Sequence, residues 1–145
     1  MNLMTSRVIL LLEIAATLQL GVAVLNLFLV RLLDWRQELA RVPLLMREVF
    51  QVHVWFISIT LAIFGVLTWR FAFEIASGQN PVAQWLAFGI GAFWAFRTIL
   101  QITYYSSSHW RGQVRRTVAH VALLCTYGGF ALLYLGTSVA GAGFK

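Results

Sequence analysis

Four long apolar stretches dominate the sequence and constrain what the chain can fold into. They lie near residues 8–30, 49–69, 82–105 and 118–139. A helix needs roughly 20 apolar residues to cross the hydrocarbon core of a bilayer, so each stretch is long enough to span a membrane. The sequence therefore predicts an all-α, polytopic membrane protein whose residues 1–145 form a single membrane domain.

The composition excludes the main alternatives. Hydrophobic residues make up 60% of the chain and charged residues only 11%, whereas about a quarter of the residues in a soluble domain are charged. The same balance excludes an intrinsically disordered chain, which would have low hydrophobicity and high charge. The single cysteine excludes a disulfide framework and a thiolate cage for a metal. We expect a chain that is not itself an enzyme.

The basic residues are distributed unevenly between the two sides of the predicted membrane domain. Loops 31–48 and 106–117 together hold seven arginines, and the opposite side holds three basic residues. The positive-inside rule predicts that the arginine-rich loops are cytoplasmic and that both termini face outward. The arginines are expected to contact anionic lipid headgroups and not nucleic acid. With no targeting signal recognised, a bacterial inner membrane is the expected location.

Residues 31–42, which follow the first span, have an amphipathic pattern. The apolar residues that share one helical face are Leu32, Trp35, Leu39 and Val42. This spacing predicts a short amphipathic helix that lies in the cytoplasmic interface. Pro43 is expected to end it, because the residue before a proline is pushed out of helical geometry.

Short connections make consecutive helices antiparallel, so the predicted topology is an up-down-up-down four-helix bundle. Each span also carries one row of residues at helical spacing that includes polar side chains. The rows are Gln19, Ala23 and Asn26; His53, Phe56, Thr60 and Phe64; Arg97, Gln101, Tyr104 and Ser108; and His120, Leu124, Tyr127, Ala131 and Tyr134. Polar groups are costly in hydrocarbon, so the rows are expected to face inward and to form a polar pocket in the cytoplasmic half of the bundle.

The two histidines of these rows carry the sharpest functional hypothesis. His53 and His120 lie at nearly the same predicted depth, since a helix rises about 1.5 Å per residue. Two neutral imidazoles on opposing helices can bind both axial positions of a b-type haem iron. In this hypothesis they are the metal ligands, and Arg97, Tyr104 or Arg111 meets the haem propionates.

A quinone or lipid-headgroup pocket, or a purely structural role, explains the same residues. A quinone carbonyl or a headgroup phosphate would accept hydrogen bonds from the histidine, arginine and tyrosine side chains, and a quinone ring would be lined by Phe56, Phe93, Trp94 and Tyr127. In the structural alternative the histidines bond to Gln101, Tyr104 or backbone carbonyls and fix the helix register. Arg97 needs compensation inside a membrane, for which Glu48 or a ligand anion is the preferred partner.

The small residues Ala87, Gly91 and Ala95 recur every fourth position of the third span. This spacing permits close helix approach and favours packing inside the protein. The function expected from the whole pattern is that of a non-catalytic subunit or anchor of a larger membrane complex, which associates with other membrane chains or with itself. The alternatives are an electron-transfer protein that holds haem b or a quinone at His53 and His120, and an oligomeric transporter or channel with Arg97 on the path.

Overall fold

A computed structural model describes residues 3–32, 35–104 and 114–142, and the regular secondary structure in these ranges is entirely helical. The helices are α1 (Leu3–Leu27), α2 (Leu29–Leu32), α3 (Arg36–Ala40), α4 (Leu44–Ser77), α5 (Pro81–Thr103) and α6 (Val114–Ala142). Four of them, with α6 counted over His120–Gly141, are long and apolar enough to cross a membrane. The predicted all-α membrane fold is therefore confirmed.

The helix α4 is longer than the span predicted for it. It has 34 residues, whereas roughly 20 are enough to cross a hydrocarbon core. Phe71 interrupts the helical geometry, with φ −112° and ψ 17°.

The structure divides the predicted interfacial helix, residues 31–42, into two short helices, α2 and α3. Trp35 lies between them and is not helical, and its N–H donates to the carbonyl of Val30, five residues back. Residues 33 and 34 lie outside the described residues, as do residues 105–113, which include most of the second predicted cytoplasmic loop. The helix α3 ends three residues before Pro43, and α4 begins directly after it.

The chain divides into two compact units, one of Leu12–Arg70 and the other of the residues up to Leu11 together with those from Phe71 onward. In the first unit, α1 and α4 pack antiparallel. The Asn26 amide nitrogen donates to the carbonyl of Val54 (3.2 Å) and to the Ser58 hydroxyl (2.9 Å). Closer to the opposite end of the pair, Gly65 lies so near α1 that an added Cβ would be 2.9 Å from Leu20 Cγ.

In the second unit, α5 and α6 also pack antiparallel. Gly91 lies against Leu135, and Gln101 contacts His120, so residue numbers rise along one helix as they fall along the other. A Cβ at Gly91 would lie 2.8 Å from Leu135 Cγ, and Ala87 is fully buried. Packing of Ala87 and Gly91 inside the protein is thereby confirmed. The up-down-up-down arrangement of all four spans stays a prediction.

The buried faces of α6 and α4 test the predicted rows. In α6 the row is correct, since Tyr127, Ala131 and Tyr134 are buried and His120 and Leu124 are half-buried. The row predicted for α4 is wrong.

The buried residues of α4 within the first unit are Val54, Ser58, Leu61, Gly65 and Thr68. By contrast, His53 and Phe56 are exposed, and Thr60 and Phe64 are half-buried. The face is displaced from the prediction by one residue, or about 100° around the helix. The observed face is buried because Ser58 forms a hydrogen bond with Asn26 of α1 and because Gly65, which has no side chain, allows α1 to approach closely.

Candidate functional site

Polar and aromatic side chains meet where α5 packs against α6, and we call this group the α5–α6 cluster. Its members are Trp94, Arg97 and Gln101 from α5 and His120, Tyr127 and Phe130 from α6. The α5 residues follow one another at intervals of three and four, which places them on one helical face. The cluster contains four of the six residues that the sequence nominates for cofactor binding.

The aromatic rings of the cluster pack directly on one another. Trp94 is 1% exposed and stacks on Tyr127 with 5.0 Å between ring centroids and 25° between ring planes. Phe130 lies 4.8 Å from Trp94, and Phe93 meets Trp94 edge-on at 5.5 Å. Three of the rings that were expected to line a quinone site, Phe93, Trp94 and Tyr127, thus pack against one another. Phe56, the remaining member of that predicted lining, is exposed.

Arg97 is half-buried, and its guanidinium carbon lies 4.9 Å from the centroid of the Tyr127 ring. A guanidinium over an aromatic ring is attracted by the negative face of the π-system, worth about 0.5 to 2 kcal/mol depending on desolvation. The ring therefore offsets part of the cost of a cation at this depth. Glu48 is exposed, and its pairing with Arg97 stays a prediction, as does pairing with a ligand anion.

Gln101 and His120 form the polar end of the cluster. The amide nitrogen of Gln101 lies 2.9 Å from His120 Nδ1, and the side chain of Gln101 is 2% exposed. Its Oε1 has no hydrogen-bond partner among the described residues. With the amide reversed, Oε1 would accept from Nδ1–H and the amide nitrogen would be the group left over. In either orientation His120 satisfies one end of a buried amide.

Two predicted site residues, His53 and Tyr104, are exposed and not buried. His53 is exposed, and its Nδ1 lies 2.9 Å from the carbonyl of Val49, one turn back in its own helix. Tyr104 is 84% exposed at the end of α5. The inward placement expected of these side chains is observed for Gln101, His120 and Tyr127 and is not observed for His53 or Tyr104. The haem b and quinone hypotheses stay predictions.

The described ranges contain no group of three or more histidine, cysteine, aspartate or glutamate side chains that could hold a metal ion. Cys125 is exposed on α6. Ser108, which the sequence assigns to the polar row of the third span, and Arg111, a candidate for the haem propionates, lie outside the described residues.

The structure also contains a site that sequence reasoning missed. A groove of about 390 Å³ runs between the start of α5 and the end of α6, beside the turn that joins α4 to α5. We call it the turn groove. Its side walls are formed by Pro81, Gln84, Trp85, Phe88, Ser138 and Val139.

Two glycines complete the turn groove where the helices end. Gly78 has a left-handed backbone (φ +67°), and a Cβ there would lie 2.9 Å from Gly141 Cα. Gln84 fixes the turn by donating to the carbonyls of Ile75 (3.0 Å) and Glu74, and its Oε1 faces Gly141. The sequence predicts a turn near Gly78, but no local pattern indicates that its neighbour is more than sixty residues away.

No family model matches this chain, and no curated protein or solved structure matches it either. A fold by itself does not determine function, so the contacts and exposure of the described side chains are what bear on the function of this chain.

Proposed function

We propose that the protein is a non-catalytic subunit or anchor of a membrane complex and that it binds its partner through one exposed face of α6. We call this surface the α6 face. It consists of Cys125, Gly129, Leu132 and Gly136, which recur at intervals of four, three and four residues. All four are exposed, and Leu132 is 77% exposed.

The single observation that carries the proposal is that two glycines with open space around them, Gly129 and Gly136, lie seven residues apart on one face of α6. A Cβ added at either would have no atom of the described residues within 4 Å, whereas one at Gly65 or Gly91 would collide with a neighbouring helix of this chain. Gly21 of α1 and Gly89 of α5 are equally open, but neither shares its face with a second open glycine. Glycine costs a helix about 0.8–1.0 kcal/mol relative to alanine, and in membranes small residues permit close approach of a second helix. Gly65 and Gly91 serve that purpose within the chain, and we infer that Gly129 and Gly136 serve it toward another chain.

The chemistry of the α5–α6 cluster supports a structural role. Gln101 bonds His120, Arg97 lies against Tyr127, and Trp94 is enclosed by other rings. Polar side chains that bond across helices stabilise a membrane bundle and fix its register. The cluster therefore suits a protein that acts by holding its helices in place for a partner.

Site-specific photocrosslinking in native membranes tests the proposal. A photoreactive phenylalanine analogue replaces Leu132, and the matched control carries it at Leu18, an exposed leucine of α1. We expect a protein adduct of defined mass at Leu132, either to another membrane chain or to a second copy, and only lipid adducts at Leu18. If Leu132 gives only lipid adducts in membranes, the proposal is wrong.

Glycine substitutions identify the surface responsible. Gly129→Leu and Gly136→Leu should abolish the adduct at Leu132, because the added side chains prevent close helix approach. Gly21→Leu is the matched control, since Gly21 is exposed on α1 and a Cβ there meets nothing within 4 Å. Loss of the adduct in all three variants would mean that leucine disturbs the protein generally, and it would contradict a specific role of α6.

A further inference from the structure

We infer that the turn groove is a binding site for a single acyl chain of a membrane lipid. The groove lies in the second unit, between Pro81–Phe88 of α5 and Ser138–Gly141 of α6. Its volume of about 390 Å³ falls within the range of roughly 300–1,000 Å³ typical of small-molecule sites. Its lining residues on α5, from Pro81 to Phe88, extend for about 10 Å along that helix.

The walls of the turn groove are suited to a hydrocarbon ligand. Pro81, Phe88 and Val139 present apolar surface along it. The two polar side chains of the walls use their donors inside the protein, since Ser138 donates to the carbonyl of Leu135 and Gln84 donates to that of Ile75. The ligand is therefore held mainly by shape and dispersion, as an acyl chain would be.

Trp85 gives the groove a defined position relative to the lipid headgroups. It is 73% exposed, it lies in the first two turns of α5, and it meets Phe88 edge-on at 5.8 Å. Tryptophan is enriched at the membrane–water interface, where its ring is level with the headgroups. A lipid whose tail enters the groove would thus have its polar part near the indole.

The dimensions of the groove distinguish a lipid from a partner helix. Along α5 the groove extends only from Pro81 to Phe88, which is about 10 Å or two helical turns, whereas a helix that crosses the hydrocarbon core is roughly 30 Å long. At the helix ends the backbones of Gly78 and Gly141 are in contact. A partner helix would therefore extend far beyond the groove, whereas a segment of an acyl chain fits within it, and the surrounding bilayer supplies it.

Photolabelling of the purified full-length chain tests this inference. The chain is reconstituted in phosphatidylcholine vesicles that contain a small fraction of phosphatidylcholine with a diazirine on one acyl chain, and labelled peptides are mapped by mass spectrometry. We expect residues 81–88 and 138–142 to be labelled several-fold more than residues 59–66 of α4, which also expose apolar side chains. Equal labelling of the three segments would overturn the inference.

The second part of the photolabelling experiment uses variants that fill the groove. Val139→Trp should reduce labelling of the groove segments to the level of residues 59–66. Val121→Trp, an identical change at an exposed α6 position away from the groove, should leave the labelling unchanged. Trp85→Ala, which removes a wall without adding bulk, should reduce the labelling as well, so the test does not depend on how one variant folds.

The inference is overturned if folded Val139→Trp is labelled like the parent chain, or if the groove segments crosslink to a second protein chain in place of lipid. The purified sample contains no other membrane chain, only further copies of this one. Failure here is therefore distinguishable from failure of the proposed subunit function, which is tested on the α6 face in native membranes.

Discussion

Gly89 and Gly91 lie two residues apart on α5, and the same substitution at each should change stability in opposite directions. A Cβ at Gly91 would lie 2.8 Å from Leu135 Cγ and 3.0 Å from the Leu135 backbone nitrogen. A Cβ at Gly89 would have no atom within 4 Å. The two positions therefore separate the effect of helix propensity from the effect of packing between α5 and α6.

The expected magnitudes follow from these distances. Replacing glycine by alanine in a helix contributes about 0.8–1.0 kcal/mol of stability at either position. At Gly91 the new methyl must also displace Leu135, and overpacking of this kind costs roughly 1–3 kcal/mol. Gly89→Ala should thus be about 1 kcal/mol more stable than the parent, whereas Gly91→Ala should range from nearly neutral to about 2 kcal/mol less stable. Since the propensity term cancels, the difference between the two variants measures the packing cost, about 1–3 kcal/mol.

The measurement is the free energy of unfolding of the full chain in one detergent, followed by helical circular dichroism during titration with a denaturing detergent. Leu135→Ala removes the Cγ that meets the added methyl, so Gly91→Ala should cost less in a Leu135→Ala background. That coupling is obtained from a double-mutant cycle. If Gly89→Ala and Gly91→Ala unfold with free energies within about 0.5 kcal/mol of each other, the close packing of Gly91 against α6 is refuted.

Four further predictions concern the polar side chains. His120→Ala should destabilise the protein by about 1–3 kcal/mol, because it leaves the buried Gln101 amide without its partner. The control His53→Ala, at an exposed position, should change stability by less than about 0.5 kcal/mol. Similar losses of stability for the two variants in the same unfolding assay would contradict the Gln101–His120 pair. A Soret band in the purified protein that disappears in both histidine variants would support the haem hypothesis, and a colourless parent would count against it. Asn26→Ala should lower the free energy of unfolding by about 0.6–1.7 kcal/mol through loss of its bonds to α4, and an unchanged value would show that these bonds contribute nothing. Arg97→Leu should lower the thermal unfolding midpoint more than Arg97→Lys, which keeps a cation near the Tyr127 ring; the reverse order would refute the cation–π contact.

The spans could be predicted from the sequence because a bilayer has a fixed thickness. All four predicted stretches are long apolar helices in the structure, and only their ends differ. The row of α6 was also predictable, since Tyr127 and Tyr134 combine a polar group with a bulky ring and such side chains favour contact with another helix. The turn near Gly78 was indicated by its own residues, but its contact with Gly141 was not.

The row of α4 shows where sequence reasoning fails. His53 was expected to be buried because a titratable side chain is costly in hydrocarbon. The structure instead buries Val54 and Ser58. The histidine ring is near the beginning of α4 and bonds to a carbonyl of its own helix, so it does not require an interior position. Ser58 is buried because Asn26 lies opposite it on α1, and that partnership joins residues more than thirty positions apart.

The sequence by itself determined that this protein lies in a membrane, how many long apolar helices it has and approximately where they begin and end. These properties depend on the transfer of side chains from water to an apolar phase. Which apolar face meets a helix and which meets lipid depended on tertiary contacts. Gly65 and Gly91 touch a neighbouring helix, and Gly129 and Gly136 do not, although all four are glycines within long apolar helices. The physical reason is that lipid and protein interior are about equally apolar, so hydropathy does not distinguish them, whereas complementary shape and the pairing of distant polar groups do.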